Sequence, residues 1–402
     1  MDIFIKHLFS VQSRLLERLP ETKRYFYYEI KNTLELSKNP TAILVHGLRG
    51  VGKTIALLQN ANKYSLYVRA DSMAFKKYKL YNVIEFTYKN YNINRFLIDE
   101  IQSYENWENE IKDIYDDFPD IELIISGSSS IKNKKKAVDL SRRLKLIHAR
   151  PLYLHEYVNF KTEKTPNLYS LEEILENPLY IAANIEKQYP NIYYLLHEYI
   201  RFGGLPLYFQ KPDVIPLITN SLKKIIYVDV PFIVDNLSLR TLKKLENIIV
   251  YIAMSKPGEF SYEHVASFTE LSKGSVYELI SALNEADLLH LLPVATDKSS
   301  IKLRKRVKAY FTHPTLRHAL LTSIGEKENI GAYREEFFYH HLKTVGNIAY
   351  PKRSFKEPDF EVKIGKNTYF FEIGKHKDKQ GFINVVDSDK AKFPLYLFGF
   401  VR

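Results

Sequence analysis

Apolar residues recur every three to four positions at the start of the chain, where Phe4, Leu8, Val11, Leu15 and Leu19 form one stripe with Lys6 and Arg14 opposite. That spacing predicts an amphipathic packing helix, and no small-residue cleavage site follows it as a signal peptide would require. The period then shortens. Apolar runs at 42–46, 64–70, 95–99, 121–126 and 146–149 alternate with helical stretches, the pattern of a doubly wound parallel α/β core. Residues 259–292 read as helix, turn and helix, with Val276, Leu279, Ile280, Leu283 and Leu288 as the buried stripe, and two strands around a polar tip follow. Near the end, GAYREEFFYHHLKTVG is an amphipathic helix carrying Glu335 and Glu336 in its first turns. A hairpin comes next. With Gly365-Lys366 as a two-residue turn, Ile364 opposes Asn367 and Asp359 falls opposite Glu372. Alternation then puts Phe360, Val362, Ile364, Tyr369, Phe371 and Ile373 on one face and Asp359, Glu361, Phe370 and Glu372 on the other.

A chain of 402 residues is too long for one core. The boundaries expected are a helical segment at 1–38, an α/β core at 39–150, a helical region at 151–232, a helix-turn-helix unit at 233–322 and a small α+β domain at 323–402. The absence of cysteine excludes disulfides, thiolate metal sites and cysteine nucleophiles. No apolar run approaches the roughly 18–20 residues of a membrane span, so a cytoplasmic address without membrane partners is expected. The net charge of +11 matters less than where it sits. Two basic clusters stand out, 132–145 and 302–308, and the second gives Lys302, Arg304, Lys305, Arg306 and Lys308 a capacity to neutralise DNA phosphates without reading sequence.

The chemistry concentrates in TAILVHGLRGVGKTIALLQ, a buried strand, a glycine-bearing loop and a helix. Gly47, Leu48, Arg49, Gly50, Val51, Gly52, Lys53, Thr54 and Ile55 make a P-loop, in which successive N–H groups and the helix N-terminus face phosphate oxygens. Lys53 is placed for the β- and γ-phosphates of ATP and Thr54 for Mg²⁺. NRFLIDEIQSY then ends an apolar strand in Asp99, a second metal partner, and Glu100, which polarises the attacking water. IELIISGSSS ends another strand in Ser126 and Ser128, sensor candidates for the γ-phosphate at the carboxyl edge of a parallel sheet.

The succession of P-loop, LIDE and IISGSSS resembles the AAA-type ATPases. SRRLKLIHARPLYLHEYVNF is similar to the arginine strand and Pro-Leu-x-x-x-Glu motif of a prokaryotic ATPase family that carries a C-terminal domain of unknown function. RFGGLPLYF also resembles the lid motif of signal-transduction ATPases, which implies a helical lid at 151–232 with Gly204 and Pro206 near the nucleotide. A Gly-Gly turn that ends a helix is the alternative. In that family an arginine serves as finger or sensor, and this sequence offers Arg142 and Arg143; a finger supplied by a neighbour implies a homo-oligomer, whereas a solvated basic face explains the same residues. The resemblance extends to a winged helix, although its second helix offers only Lys273 against Glu278, Glu285 and Asp287.

EPDF followed by FFEIGK resembles the PD-(D/E)xK nucleases, which implies a restriction-endonuclease-like domain with Asp359, Glu372 and Glu335 as ligands of a second metal site. Gly374 stands where that family places its lysine, and Lys375 projects from the other face unless a bulge intervenes. Three functions remain open on this reading: an ATP-hydrolysing conformational switch, an ATP-regulated DNA endonuclease, and a nucleotide-dependent partner-binding module in defence or mobile-element maintenance.

Overall fold

The computed structural model describes residues 1–38, 40–129, 140, 142–211, 213–257, 260–293, 307–351, 358–378, 381–388 and 392–402. Two compact units divide the chain, Met1–Arg150 and Pro151–Arg402. No helix among the described residues is long and apolar enough to cross a membrane.

The first unit opens with helices α1 (Asp2–Leu16) and α2 (Tyr25–Leu36) and then alternates β1 (Thr41–Gly47), α3 (Lys53–Gln59), β2 (Ser65–Arg69), α4 (Leu80–Tyr91), β3 (Arg95–Asp99), α5 (Trp107–Asp117), β4 (Glu122–Gly127) and β5 (Leu144–Ala149). The sheet is wholly parallel in the order β2-β3-β4-β1-β5. Every residue of β1 is buried, as continuous apolar runs covered on both faces should be. Because the chain runs from β1 to the far edge and returns past it to β5, the carboxyl ends of β1, β3 and β4 meet at one crevice.

α1 is rotated from its expected face. Its buried residues are Ile5, Leu8 and Gln12, with Phe4, Val11 and Leu15 only partly covered and Leu19 beyond the helix end. The reason is polar. The Gln12 amide donates to Ser65 O (3.1 Å) and accepts from Tyr67 N–H (2.6 Å), satisfying backbone groups of the edge strand β2 that would otherwise be unpaired. A hydrophobic stripe carries no record of such a bond.

In the second unit the helices Leu154–Thr162, Leu171–Glu176, Pro178–Gln188, Ile192–Phe202, Ile215–Lys224 and Leu239–Met254 come first. The pair Tyr262–Thr269 and Lys273–Glu285 follows, and β6 (Leu289–Pro293) and β7 (Val307–Phe311) form an antiparallel hairpin. The stripe residues Val276, Leu279, Ile280, Leu283 and Leu288 are buried as expected. After the helices Pro314–Ser323 and Ile330–Leu342, β8 (Asn347–Ala349), β9 (Phe360–Ile364), β10 (Asn367–Asp378), β11 (Gly381–Ser388) and β12 (Lys392–Pro394) make an antiparallel sheet in the order β12-β11-β10-β9-β8. The hairpin register is the expected one, Ile364 with Asn367 and Phe360 with Phe371, and Phe360, Val362 and Phe371 are buried.

Three histidines lie deep in this unit. His313 Nδ1 accepts from Thr315 N–H (3.1 Å), His341 Nε2 accepts from Leu154 N–H (3.0 Å), and neither ring nitrogen of His340 has a hydrogen-bond partner among the described residues. With Nε2 accepting, His341 donates through Nδ1–H to Phe337 O (2.8 Å), which fixes a neutral ring. Burial lowers all three, His341 to about 3 and the others well below the ordinary range. The unfolded chain takes up protons below about pH 6.5 while these rings stay neutral in the fold, so stability is full above that pH and falls as pH drops. Each ring approaches about 1.4 kcal/mol per pH unit only well below pH 6.5, so between pH 7.0 and 5.5 the three together lower stability by about 4 kcal/mol in all. Chemical denaturation at pH 7.0, 6.0 and 5.5 is expected to show this loss of the second unit, and a flat profile over that interval would refute it.

Candidate functional site

The loop after β1 is built for close approach. A Cβ at Gly47 would lie 2.1 Å from the carbonyl oxygen of Ala149 on β5, so only glycine fits between the strands. Gly52 caps α3 at φ 97°, a conformation glycine adopts at little cost. Leu48 and Val51 are buried and pin the loop from beneath, while Arg49, Gly50, Thr54 and Ile55 are half-buried at its surface. Lys53 lies inside the loop, its ammonium donating to Gly47 O (2.8 Å) and Leu48 O (3.0 Å).

The end of β3 faces this loop. Asp99 is buried, and its Oδ2 accepts from the hydroxyls of Thr54 (2.8 Å) and Tyr67 (2.8 Å) while its Oδ1 accepts a short bond from Ser126. The Ser126 oxygen in turn accepts from the N–H of Glu100 (3.1 Å), linking the two acids through β4. Glu100 holds φ at 56°, a left-handed conformation that costs a non-glycine residue about 1–3 kcal/mol and persists where the surroundings impose it. Its Oε2 receives Arg49 of the loop at 3.4 Å and a short bond from Gln102, whose own Oε1 accepts from Ser128 N–H (3.2 Å). The sequence-derived set of Lys53, Thr54, Asp99, Glu100 and Ser126 is therefore brought together.

Tyr67, Gln102 and Arg24 were not anticipated. Tyr67 stands two residues before the end of an apolar strand, and burial beside Asp99 holds its phenol far above the usual value and so neutral. Arg24 donates to Val51 O (2.7 Å) and Arg150 O (3.0 Å), tying the start of α2 to the loop and to the end of β5. Only an N-terminal arginine next to aromatic residues hinted at it. Of the two finger candidates, Arg143 is committed to Asp116 of α5 by a bidentate pair at 2.9 and 3.0 Å, and Arg142 is exposed. Lys132 to Lys136 lie outside the described residues.

Gly204 and Pro206 belong to the second unit. A Cβ on Gly204 would come 2.3 Å from the His313 ring, and its N–H donates to Thr315 Oγ1 (3.1 Å) while its carbonyl accepts from Leu152 N–H (2.9 Å). Gly203 is as tight, with Tyr157 2.7 Å from an added Cβ. Close packing within the second unit requires glycine at both positions. Pro206 opens a short 3-10 turn, Pro206–Phe209.

At the carboxyl-terminal sheet the expected metal ligands meet a lysine. Lys308 of β7 places its ammonium 3.2 Å from Glu335 Oε2 and 3.0 Å from Asp359 Oδ1. Tyr310 donates to Glu335 Oε2 (2.8 Å) and Ile373 N–H to Asp359 Oδ2 (2.9 Å). Burial opposes the Lys308 charge, but Glu335 and Asp359 outweigh it and raise its pKa; burial raises Glu335 in spite of Lys308. Glu372 is exposed, and its carboxylate does not close with Glu335 and Asp359 into one cluster of three. β10 pairs with β11 residue for residue from Phe371 to Asp378, Gly374 with Val385 and Lys375 with Asn384, so no bulge redirects position 375. Lys308, expected among the phosphate-facing residues of the wing, is instead taken up by two carboxylates. Lys302, Arg304, Lys305 and Arg306 lie outside the described residues.

Residues 39–158 match the family model described as an AAA domain, and residues 193–327 match a domain of unknown function, DUF8612. Two uncharacterized proteins of Methanocaldococcus jannaschii are similar, one 29% identical over 352 residues (81% of this chain, 72% of that protein) and one 24% identical over 377 residues (86% and 77%). Among solved structures, AMPPCP-bound DnaA from Aquifex aeolicus aligns with 67% of this chain and 90% of its own at 19% identity and a TM-score of 0.29. The Aeropyrum pernix ORC1 protein in complex with DNA aligns with 76% and 94% at 13% identity and a TM-score of 0.31. Residues 39–158 thus combine a match to the AAA domain with the parallel α/β sheet of a P-loop core, in which Asp99 ends β3 and Glu100 follows it.

Proposed function

We propose that the protein binds and hydrolyses ATP and acts as a nucleotide-driven conformational switch. The observation that carries this is the network in which Thr54, Ser126 and Tyr67 converge on Asp99 while Ser126 also holds the backbone of Glu100. A binding loop alone needs no carboxylate fixed beyond its metal partner; hydrolysis needs one near the attacking water. Lys53 and the loop N–H groups would bind the phosphates, Thr54 and Asp99 would hold Mg²⁺, which would supply charge neutralisation, and Glu100 would orient water and take its proton. ATP turnover by the purified protein, compared with Lys53→Ala and Glu100→Gln, tests the reading.

The helix-turn-helix and its hairpin we read as a winged helix that follows the engine's state, with DNA contact through the basic residues at 302–306 and without Lys308. The β8–β12 sheet we infer to be a nuclease-like fold without cleavage activity. Two observations support this: the regular ladder at Gly374, and the Lys308 ammonium lying between Glu335 and Asp359. Plasmid incubated with Mg²⁺ or Mn²⁺ is expected to stay intact with the wild type and with Asp359→Ala alike. Cleavage that disappears in Asp359→Ala would establish the endonuclease instead.

A further inference from the structure

Arg49 is the one cationic side chain of the P-loop besides Lys53, and it reaches across the crevice to Glu100. The contact has the character of a latch. At 3.4 Å it is longer than the 2.7–2.9 Å or so of a strong guanidinium–carboxylate bond. Both side chains are a fifth to a quarter exposed, so solvent screens the attraction. Gln102 holds the same Glu100 oxygen and is itself anchored by Ser128 N–H just past β4, so Glu100 keeps its place when Arg49 leaves.

We propose that Arg49 exchanges Glu100 for the γ-phosphate when ATP binds, so that one residue both distinguishes ATP from ADP and releases the carboxylate that activates water. The inference rests on the reading of this core as an ATPase. A γ-phosphate offers the guanidinium a planar pair of oxygens and more charge than a single distant carboxylate oxygen, so the exchange runs toward the nucleotide. ADP lacks the group that competes, and with ADP the Arg49–Glu100 contact persists. Glu100 then stays neutralised after hydrolysis and is freed again only by a new ATP.

The test measures binding of Mg-ADP and of Mg-AMPPNP by titration calorimetry. Arg49→Ala is expected to weaken AMPPNP at least tenfold while ADP changes less than twofold. Glu100→Gln, which removes the competing charge, is expected to tighten AMPPNP by up to about fivefold, the scale of a screened ion pair, with ADP unchanged. In the Arg49→Ala background Glu100→Gln is expected to change neither nucleotide. Retained ADP affinity certifies the fold of each variant. Equal weakening of both nucleotides in Arg49→Ala, or no weakening of AMPPNP, overturns the exchange while leaving the ATPase reading intact. Failure of the wild type to bind either nucleotide overturns both.

Discussion

Glu100→Gln is expected to lower ATP turnover by about 10²–10⁴-fold, the range general-base catalysis supplies, while nucleotide binding is retained. Lys53→Ala is expected to lose turnover to a similar depth and binding with it, since removing one preorganised charge from a phosphate site costs about 10²–10³-fold. The pair of outcomes is informative because the two residues sit differently. Lys53 is buried and tied to two loop carbonyls, so its loss also disturbs the loop. Glu100 is held by two groups that remain when its carboxylate becomes an amide, the Ser126 hydroxyl on its backbone and Gln102. A Glu100→Gln protein that hydrolyses ATP as fast as the wild type would remove the base from Glu100. Turnover that survives in both variants would come from a contaminant, and the ATPase reading would fall.

What the chain disclosed about this site followed from how rigid the local chemistry is. A loop that aims N–H groups at phosphate needs glycine where neighbouring backbone comes too close, and the Ala149 carbonyl shows why at Gly47. A strand that ends beside the metal needs its acid at one register position, so Asp99 and Glu100 could be found from the strand pattern. Tyr67 and Gln102 could not, because each reaches Asp99 or Glu100 through a side chain on another strand or turn, and tertiary distance has no sequence spacing. The same limit explains Lys308. Its neighbours Arg304, Lys305 and Arg306 made it one member of a basic run, yet β7 turns it inward against a helix and a strand that begin about 25 and 50 residues later. The register of β9 and β10 was legible because a two-residue turn and a period of two leave one solution.

The largest stability effect is expected at Glu336. Arg317 is fully buried; its Nη1 donates to Ile252 O and Ala253 O (both 2.7 Å), the free carbonyls at the end of helix Leu239–Met254, and its Nε donates to Glu336 Oε1 (2.8 Å). The same carboxylate oxygen accepts Phe311 N–H of β7 (2.7 Å) and lies 2.7 Å from Nη2, off the axis of a hydrogen bond, while Oε2 has no hydrogen-bond partner among the described residues. One ion pair thus joins a helix end, the β6–β7 hairpin, helix Pro314–Ser323 and helix Ile330–Leu342. Burial pushes Glu336 upward, but the adjacent guanidinium and the Phe311 amide pull against it, and the carboxylate form is what Arg317 requires. Glu336→Ala strands a buried guanidinium and is expected to cost about 3–5 kcal/mol. Replacing both partners, Arg317→Met with Glu336→Leu, removes the charges together and is expected to recover most of that loss, because desolvation no longer opposes burial. Denaturant titration of the single and double variants decides the matter. A Glu336→Ala protein within about 1 kcal/mol of the wild type would mean that Arg317 finds other acceptors or water, and that this junction is looser than its geometry implies.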